Sequence, residues 1–257
     1  MIADERKQKI LNLIKKHGIV KVAELSQIFN VSEVTVRNYL TDMESMGLLT
    51  RTHGGAISSY KPYCSMNFNQ RLETNQFAKD IIGKKIADMI EPNDTIMLNA
   101  GTTTLLVFRN LPADYHLTII TNSISIALEA SENPNYNIVL IGGSVNAKYQ
   151  FTFGFDATSN LKNYHADKLI LSVDGIDLDG GFSTYHCEEV DVDKHMLEQS
   201  SMCIVAADQS KFGRNATINI SNLSAADYIV TDYDLSDEEK HRFYDNGITL
   251  ISATENI

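Results

Sequence analysis

The apolar residues of the first sixty positions recur every three or four residues, which predicts helices. Three helices are predicted, with these residues on their apolar faces: Ile10, Leu13 and Ile14; then Val22, Leu25, Ile28 and Phe29; then Val36, Tyr39, Leu40 and Met43. His17-Gly18 is expected to end the first helix. Ser32 is a suitable N-cap for the third, which Gly47 ends near Met46.

The opposite face of the third helix carries no acid and no large apolar side chain. Its residues are Val34, Arg37, Asn38, Thr41 and Ser45. Arginine can read guanine, asparagine can read adenine, and a small apolar group can contact the thymine methyl. An ordinary solvated helix face could have the same composition, so this face alone leaves both interpretations open.

Two short strand-like runs follow, at residues 48–51 and 56–59, around the turn at Gly54-Gly55. A helix-turn-helix followed by a hairpin is a winged helix, which is an α+β fold. Arg51, Thr52 and His53 lie at the tip of the wing, where they can contact the phosphate backbone or the minor groove. We therefore assign residues 1–60 to a winged helix-turn-helix domain that binds DNA.

Charge is distributed unevenly along the chain. The 257 residues carry a net charge of −11, which at first argues against nucleic acid. The first sixty residues, however, contain eight Lys or Arg and six acids, so the negative excess lies in the remainder. A mildly basic head on an acidic body suits a DNA-reading module joined to a part that does not touch DNA.

Several classes of protein are disfavoured by the composition. No apolar stretch approaches the roughly 20 residues of a membrane span, and no apolar run follows Met1 as in a signal peptide. Cys64, Cys187 and Cys203 form neither a disulfide framework nor a zinc pattern. We expect a cytoplasmic protein with no metal and no membrane partner.

The rest of the chain alternates between strand-like and helix-like segments. Residues 61–74 lack clear periodicity and are interpreted as a linker, with a second domain at 75–257 that begins with a helix at about 74–90. Seven apolar runs of strand length follow, at residues 95–99, 117–121, 138–141, 168–173, 202–207, 228–230 and 248–251. This alternation predicts an α/β fold with a mainly parallel sheet.

Polar, small-residue loops follow five of these strands. They are residues 99–104, 121–123, 142–144, 174–177 and 208–211. Each could be a simple turn, because Gly, Asn and Ser favour turns. In parallel sheets, however, ligands bind beyond the carboxyl ends of the strands, so five such loops together indicate a binding site.

The first of these loops resembles an anion site. Gly101 lets the backbone approach a ligand closely, and the hydroxyls of Thr102, Thr103 and Thr104 join the N–H groups of a helix start. Neither a Walker motif nor a dinucleotide fingerprint is present, so we expect no cofactor and favour a phosphate monoester on a small molecule. Lys194 and Lys211 are candidate countercharges.

Residues 31–40 (Val-Ser-Glu-Val-Thr-Val-Arg-Asn-Tyr-Leu), with Glu44, Gly47, Arg51 and the His-Gly-Gly-Ala sequence at 53–56, resemble the DNA-binding domain of the DeoR family of repressors. Asn38 and Tyr39 stand where that family usually has Arg and Asp, which suggests an operator sequence of its own. The resemblance and the exposed face together predict these DNA-binding residues: Ser32, Val34, Thr35, Arg37, Asn38, Thr41, Arg51, His53 and Gly54.

The second domain resembles the sensor domain of the same family, and through it the phosphosugar isomerases of the ribose-5-phosphate isomerase type. The matching motifs lie at residues 99–104, 121–122, 142–143, 174–177, 188–194 and 208–213. The effector-binding residues expected from them are Asn99, Gly101, Thr102, Thr103, Thr104, Thr121, Asn122, Gly142, Gly143, Asp174, Glu188, Lys194, Asp208 and Lys211. Asn99 replaces a usual Asp beside the anion site.

The resemblance implies a repressor of a sugar or polyol catabolic operon that binds double-stranded operator DNA as a homo-oligomer, dimer or tetramer, and responds to a phosphorylated sugar or polyol. One alternative is a phosphosugar isomerase-type enzyme with an accessory DNA-binding domain, because Asp174, Asp177, Glu188 and Glu189 could supply a general base. Another is a DNA-binding protein whose body only oligomerises.

Overall fold

A computed structural model describes residues 3–17, 19–45, 48–58, 66–233, 235 and 237–254. The chain divides into two compact units, Met1–Met66 and Asn67–Ile257. Gly18, Met46 and Gly47, which the sequence places at helix ends, lie outside the described residues, as do Cys64 and the rest of residues 59–65.

The smaller unit contains three helices and a three-stranded antiparallel sheet. Its elements in chain order are α1 (Ala3–His17), β1 (Ile19–Lys21), α2 (Val22–Phe29), α3 (Glu33–Ser45), β2 (Leu49–Thr52) and β3 (Gly55–Ser58). The sheet order is β1-β3-β2. This confirms the predicted winged helix and adds β1, a three-residue strand that the hydrophobic pattern did not indicate.

The core of the smaller unit forms where the apolar helix faces meet. Buried side chains include Ile10 and Ile14 of α1, Leu25 of α2 and Met43 of α3. Ile28 was predicted to share the apolar face of α2, but it is 49% exposed. A short helix packed on one side leaves the edge of its apolar stripe in water.

The larger unit has an α/β fold. Its helices are α4 (Phe68–Glu73), α5 (Gln76–Ala87), α6 (Thr102–Arg109), α7 (Ile124–Ala130), α8 (Phe155–Leu161), α9 (Val190–Glu198) and α10 (Asp237–Tyr244). Its strands are β4 (Thr95–Leu98), β5 (Leu117–Thr121), β6 (Tyr136–Leu140), β7 (Ser144–Asn146), β8 (Phe151–Phe153), β9 (Ala166–Ser172), β10 (Gly175–Asp177), β11 (Gly181–Thr184), β12 (Ser200–Ala206), β13 (Ile218–Ser221), β14 (Tyr228–Thr231) and β15 (Thr249–Ser252).

Seven strands form one parallel sheet in the order β15-β14-β12-β9-β4-β5-β6. They correspond to the seven predicted strands. Clusters of buried apolar side chains cover the sheet, as expected of strands that are apolar on both faces. From β4 the chain first builds towards β6, then returns to β9 on the other side of β4. The switch point of the sheet, where open α/β sheets bind ligands, therefore lies between β4 and β9.

The segment predicted as a linker is partly folded. Residues 67–74 belong to the larger unit, and α4 occupies most of them. A capping box starts this helix: the Asn67 side chain accepts from the Gln70 amide, and the Gln70 side chain accepts from the Asn67 amide. Only Phe68 and Arg71 are buried, so the helix is too short and too polar to show periodicity.

Short antiparallel strands were also not predicted. The hairpin β7–β8 and the small sheet β10-β11-β13 use strands of three or four residues. Such runs are shorter than the alternation that identifies a strand in a sequence. They matter because they follow β6 and β9 and so surround the carboxyl edge of the main sheet.

Candidate nucleic-acid interface and effector site

The predicted DNA-reading face of α3 is exposed. Val34 is 63% exposed, although it is apolar, and Arg37, Asn38, Thr41 and Ser45 are exposed as well. The opposite face of α3 is buried, as the periodicity predicted. An exposed valine among polar groups suits contact with a thymine methyl group, whereas it gains nothing in water.

Arg37 has a partner on its own helix. Its Nη2 lies 2.7 Å from Oε2 of Glu33, one turn earlier, and both side chains are about half exposed. Exposed pairs of this kind contribute only about 0.3–0.5 kcal/mol, so the guanidinium can leave Glu33 for a guanine at little cost. The Ser32 hydroxyl accepts from the Thr35 amide at 3.1 Å, which gives Ser32 a capping role beside its predicted DNA contact.

The wing is joined to α3 by hydrogen bonds from Arg51. Its Nη1 donates to the Thr41 hydroxyl at 2.6 Å, and its backbone N–H donates to Glu44 at 2.8 Å. His53 and Gly54 form the exposed turn between β2 and β3. Arg51 therefore places the wing and the recognition helix on one polar surface.

Tyr39, where the sequence departs from its family, has a structural role. It is only partly exposed, and its hydroxyl accepts from Arg6 at 3.1 Å. This bond joins α1 to α3 on the side away from the DNA-reading residues. The departure at Tyr39 therefore concerns packing, whereas the departure at Asn38 lies on the exposed face.

In the larger unit, Asn99 connects the two strands at the switch point. Its Nδ2 donates to the Ser172 carbonyl and to Oδ1 of Asp193, each at 3.0 Å. Its Oδ1 accepts from the Ser172 amide at 2.9 Å. Asn99 is 1% exposed, so these bonds are shielded from water. An amide can donate and accept here at once, which a carboxylate cannot do.

The threonines that follow start α6 beside Asn99. Thr102, Thr103 and Thr104 are buried, and Gly101 provides no side-chain cap for the first turn of the helix. The first amides of α6 lack acceptors within the helix and point towards the switch point. The Thr104 hydroxyl is occupied by the carbonyls of Asn99 and Gly101, so Thr102 and Thr103 are the better candidates for ligand contact.

Gly101 has a packing role that the sequence did not indicate. A Cβ at this position would lie 1.8 Å from the Ser172 hydroxyl. Glycine thus allows the close approach of β9 at the switch point. The predicted approach of a ligand to the backbone at Gly101 stays a prediction.

Asp174 follows β9, and two cationic side chains of the site lie close to its carboxylate. Its Oδ1 lies 3.3 Å from Nη1 of Arg71 and 3.9 Å from Nζ of Lys211, and its Oδ2 accepts from the Tyr185 amide at 3.1 Å. Burial alone would raise the pKa of Asp174, but Arg71, Lys211 and His186 together hold it below its usual value. Asp174 is therefore an anion at neutral pH.

His186 lies 3.9 Å from Asp174, but it is not a third cation. Burial, the largest cause, lowers the pKa of His186 to about 4 despite the nearby carboxylate. The ring is neutral at physiological pH. It packs on Tyr149 with the ring centroids 4.1 Å apart.

Lys211 and Asp208 occupy the loop after β12 and are both buried. Asp208 Oδ1 accepts from the Ser210 amide at 2.9 Å and from Asn75 Nδ2 at 3.1 Å. Burial would raise its pKa, but Lys211 and Lys79 lower it below the usual value. Both predicted residues thus belong to a buried group of charged side chains. This charged cluster consists of Arg71, Lys79, Asp174, Glu189, Asp193, Asp208 and Lys211.

Two predicted residues of the α9 region lie at the surface. Glu188 is exposed and accepts from Asn146 at 2.5 Å, and Lys194 is exposed on α9. Their neighbours Glu189 and Asp193 are 4% and 1% exposed and occupy the inner face. The motif identified the right segment, but only the register of the helix against the sheet shows which residues face inwards.

Glu189 and Asp193 retain protons more readily than ordinary acids. Burial raises the pKa of Glu189 well above its usual value, and the charges of Asp193 and Asp174 raise it further. Burial also raises the pKa of Asp193 to about 7, against the lowering effect of its hydrogen bond from Asn99. Protonated acids can donate as well as accept, so this side of the site suits hydroxyl groups.

The remaining predicted residues support the site rather than line its charged centre. The Thr121 hydroxyl donates to the Leu98 carbonyl at 2.7 Å, and Asn122 Nδ2 donates to the Thr152 carbonyl at 3.2 Å. Oδ1 of Asn122 is buried without a hydrogen-bond partner. Gly142 and Gly143 are exposed, and Gly143 has a φ of 135°, which the turn into β7 requires.

Three residues of the charged cluster were not predicted, Arg71, Lys79 and Asp193, and Glu189 was predicted only as a possible general base of the enzyme alternative. Lys79 is 1% exposed, donates to the carbonyls of Arg71 and Thr74, and has its pKa lowered to about 7, chiefly by burial. One signal was available in the sequence. Lys79 interrupts the apolar stripe of α5 at helical spacing from Ile82 and Ile86, and a lysine in such a stripe needs buried partners.

Within the described part of the chain, no group of three or more His, Cys, Asp or Glu residues could hold a metal ion. Among the same residues, no helix is long and apolar enough to span a bilayer.

Two family models match the chain, one in each unit. Residues 6–61 match the DeoR-like helix-turn-helix domain, and residues 74–233 match the DeoR C-terminal sensor domain. The segment between the two matches contains α4. The departures at Asn38, Tyr39 and Asn99 do not prevent either match.

Curated relatives cover nearly the full length of the chain. An uncharacterized HTH-type transcriptional regulator of Bacillus subtilis, YulB, is 34% identical over 232 residues, 90% of each chain. The glycerol-3-phosphate regulon repressor of Escherichia coli is 31% identical over 230 residues, 89% of this chain and 90% of the other. Among solved structures, ribose 5-phosphate isomerase A of Methanocaldococcus jannaschii matches 54% of this chain and 55% of its own, with 16% identity and a TM-score of 0.40.

Proposed function

The chain belongs to the DeoR family, and from this we propose that it represses a sugar or polyol catabolic operon and is controlled by a phosphorylated sugar or polyol. Its relatives include the glycerol-3-phosphate regulon repressor and a putative aga operon transcriptional repressor. As a family member it is a DNA-binding transcriptional regulator with a sensor domain. The identity of the effector and the residues that bind it are the proposal.

One observation carries the proposal for the sensor. Arg71 and Lys211 lie beside Asp174, which follows β9, and α6 starts with Thr102 and Thr103 after the adjacent strand β4. Cations and helix-start amides bind phosphate. The raised pKa of Asp193 and its neighbour indicates groups that accept or donate to hydroxyls. An anion site next to a hydroxyl site matches a polyol phosphate.

The proposal is tested by measuring the melting temperature of the purified chain with glycerol 3-phosphate, ribose 5-phosphate, fructose 6-phosphate, glucosamine 6-phosphate and their unphosphorylated counterparts. A ligand that binds the folded state raises the melting temperature by mass action. We expect at least one phosphate ester to stabilise the protein and its unphosphorylated counterpart to have no effect. No shift with any ester, or equal shifts with both forms, would refute the phosphate class.

Side-chain variants locate the site. Thr102→Val keeps the size of a buried side chain and removes the hydroxyl, so we expect it to reduce the shift while leaving DNA binding unchanged. Thr249→Val is the matched control, because Thr249 is exposed on β15. A full response in Thr102→Val would place the effector elsewhere.

DNA readout is tested with a fragment selected from random DNA by the full chain. If Arg37 reads a base, Arg37→Ala should weaken binding of that fragment by about 1–3 kcal/mol. Arg109→Gln is the control, because Arg109 lies on α6 in an exposed pair with Glu129. Unchanged affinity in Arg37→Ala would remove Arg37 from the readout residues.

We propose that the sensor binds its ligand without turnover. The curated relatives reported above are named as regulators. The enzyme alternative retains one supporting observation, a carboxyl at Asp193 whose pKa of about 7 would suit a general base. Isomerisation of ribose 5-phosphate or fructose 6-phosphate at enzyme-like rates by the purified chain would establish that alternative.

A further inference from the structure

The helix α4 connects the chain that leaves the winged helix with the interior of the sensor. It is the first helix of the larger unit and lies between the two segments that match the family. It is nevertheless part of the effector site, because Arg71, at its centre, reaches Asp174. The proposed control of DNA binding by an effector needs such a connection, and the inference below rests on that proposed function.

Tertiary contacts alone determine where α4 lies. A six-residue helix has no stability of its own in water. Besides the capping box, its contacts include the buried side chain of Phe68, the donation of Lys79 to the carbonyls of Arg71 and Thr74, and the pairing of Arg71 with Asp174. The last of these contacts is made directly to a residue of the proposed effector site.

Arg71 can leave Asp174 without leaving the Asp174 carboxylate unpaired. Asp174 also has Lys211 at 3.9 Å, the Tyr185 amide at 3.1 Å and the Thr184 hydroxyl at 3.3 Å. If the guanidinium moves to another anion, Asp174 keeps a cation and two hydrogen-bond donors. Arg71 also lies 5.1 Å from the centroid of the Tyr149 ring, which supports the guanidinium from one side.

We propose that Arg71 is the switch residue of the sensor: the phosphate of the effector draws its guanidinium away from Asp174, and α4 shifts with it. Arginine is suited to this exchange because its planar fork can bind phosphate through two parallel hydrogen bonds, and its Nη1 lies at 3.3 Å from Oδ1 of Asp174. The chain that enters α4 at Asn67 then carries the change towards the DNA-binding domain.

The contacts of α4 offer a path by which the shift reaches its backbone. Arg71 is buried, so its side chain has little room to move without the helix, and a tilt of α4 would change the bond from Lys79 to the Arg71 carbonyl. The Phe68 amide, which donates to the Lys148 carbonyl at 3.2 Å, joins the start of α4 to the hairpin β7–β8. A tilt of α4 would therefore act on this contact as well.

A ligand-free experiment tests the switch directly. Asp174→Asn in the full chain removes the anion that holds Arg71, and amide hydrogen exchange is measured on peptides covering residues 66–75. We expect exchange there to be at least several-fold faster than in the wild type, and affinity for the selected DNA fragment to change. Glu129→Gln is the matched control, since it removes the acid partner of the exposed Arg109. Equal exchange in Asp174→Asn and the control would overturn the proposal.

A second experiment uses the esters named above as probes. The wild type should change its DNA affinity by about 5–150-fold with an active ester, the usual range of allosteric coupling. Arg71→Gln should abolish this change, whereas Arg71→Lys, which keeps the charge without the fork, should reduce it and Arg109→Gln should leave it intact. A full response in Arg71→Gln would overturn the switch.

The two proposals fail in different ways. If no ester stabilises the wild type, the proposed effector class fails, while the ligand-free measurement on Asp174→Asn still decides the role of Arg71. If Asp174→Asn does not fold, as judged by circular dichroism, the same exchange measurement is made on Arg71→Lys and Arg71→Gln. Unchanged exchange over residues 66–75 in both would then count against the switch.

Discussion

Replacing Asn99 with Asp restores the residue that the family usually has at this position, yet we expect it to destabilise this chain. The Asn99 amide donates to the Ser172 carbonyl and to Asp193, each at 3.0 Å, in a site that is 1% exposed. An ionised aspartate donates nothing, so both acceptors lose their donor and two carboxylates face each other. A buried acceptor left without a donor costs about 1–3 kcal/mol, so the two acceptors give roughly 2–6 kcal/mol in total for Asn99→Asp.

The cost should depend on pH in a defined direction. Burial and the nearby Asp193 raise the pKa of the introduced carboxyl in the folded state, whereas the unfolded chain keeps the ordinary value of about 3.9. The unfolded state therefore releases its proton first as pH rises, and the stability of the variant falls, by at most about 1.4 kcal/mol per pH unit, until the folded pKa is reached. At about pH 5.5 a protonated carboxyl can still make one donor bond, so the loss is smaller than at pH 8.

Urea unfolding of the full chain, followed by far-ultraviolet circular dichroism at both pH values, measures this cost in the transition of the larger unit. Asn163→Asp is the matched control, because Asn163 is exposed and should change stability by less than about 0.5 kcal/mol. If Asn99→Asp is as stable as the wild type at pH 8, or is less destabilised there than at pH 5.5, the account of the switch point is wrong.

Three further predictions follow from individual contacts. Gly101→Ala places a Cβ 1.8 Å from the Ser172 hydroxyl and should lower the free energy of unfolding in urea by about 1–3 kcal/mol. Gly142→Ala, whose Cβ meets nothing within 4 Å, should be near neutral. Similar losses in both variants would contradict the packing argument. The raised pKa of Asp193 makes the stability of the wild type fall as pH rises from about 4 towards 7. Asp193→Asn should therefore flatten that part of the profile of stability against pH. An unchanged slope would show that Asp193 does not titrate there. Glu33→Gln removes an acid from the DNA-reading helix and should tighten DNA binding by about 0.3–1 kcal/mol, measured by fluorescence anisotropy at low salt. The effect should become smaller at high salt. Weaker binding would mean that Glu33 positions Arg37 for readout.

Hydrophobic periodicity was sufficient where one short segment determines the outcome. The exposed face of α3, with Val34 and Arg37, follows from 100° per residue and from the burial of Val36 and Leu40 opposite it. The seven strands of the main sheet are apolar on both faces, so they stand out in the sequence, and the loops after them necessarily meet at one edge. The winged helix and the sheet edge at which we propose the sensor site are thus predictable from the sequence.

The members of the charged cluster depend on contacts between residues far apart in the chain. Arg71 lies in a segment without periodicity and becomes a site residue only because α4 packs beside Asp174, about a hundred positions later. Glu189 and Asp193, rather than Glu188 and Lys194, face inwards because of how α9 lies on the sheet.

Local sequence thus determined the helices and strands and the edge of the sheet at which we propose that the ligand binds, because periodicity and turn residues act over a few positions. The tertiary structure decided which charged side chains are buried together and how they shift each other's pKa values. Burial lowers the pKa of Lys79 and raises that of Asp193. Desolvation and coulombic interactions depend on distances in space, and a sequence records only distances along the chain.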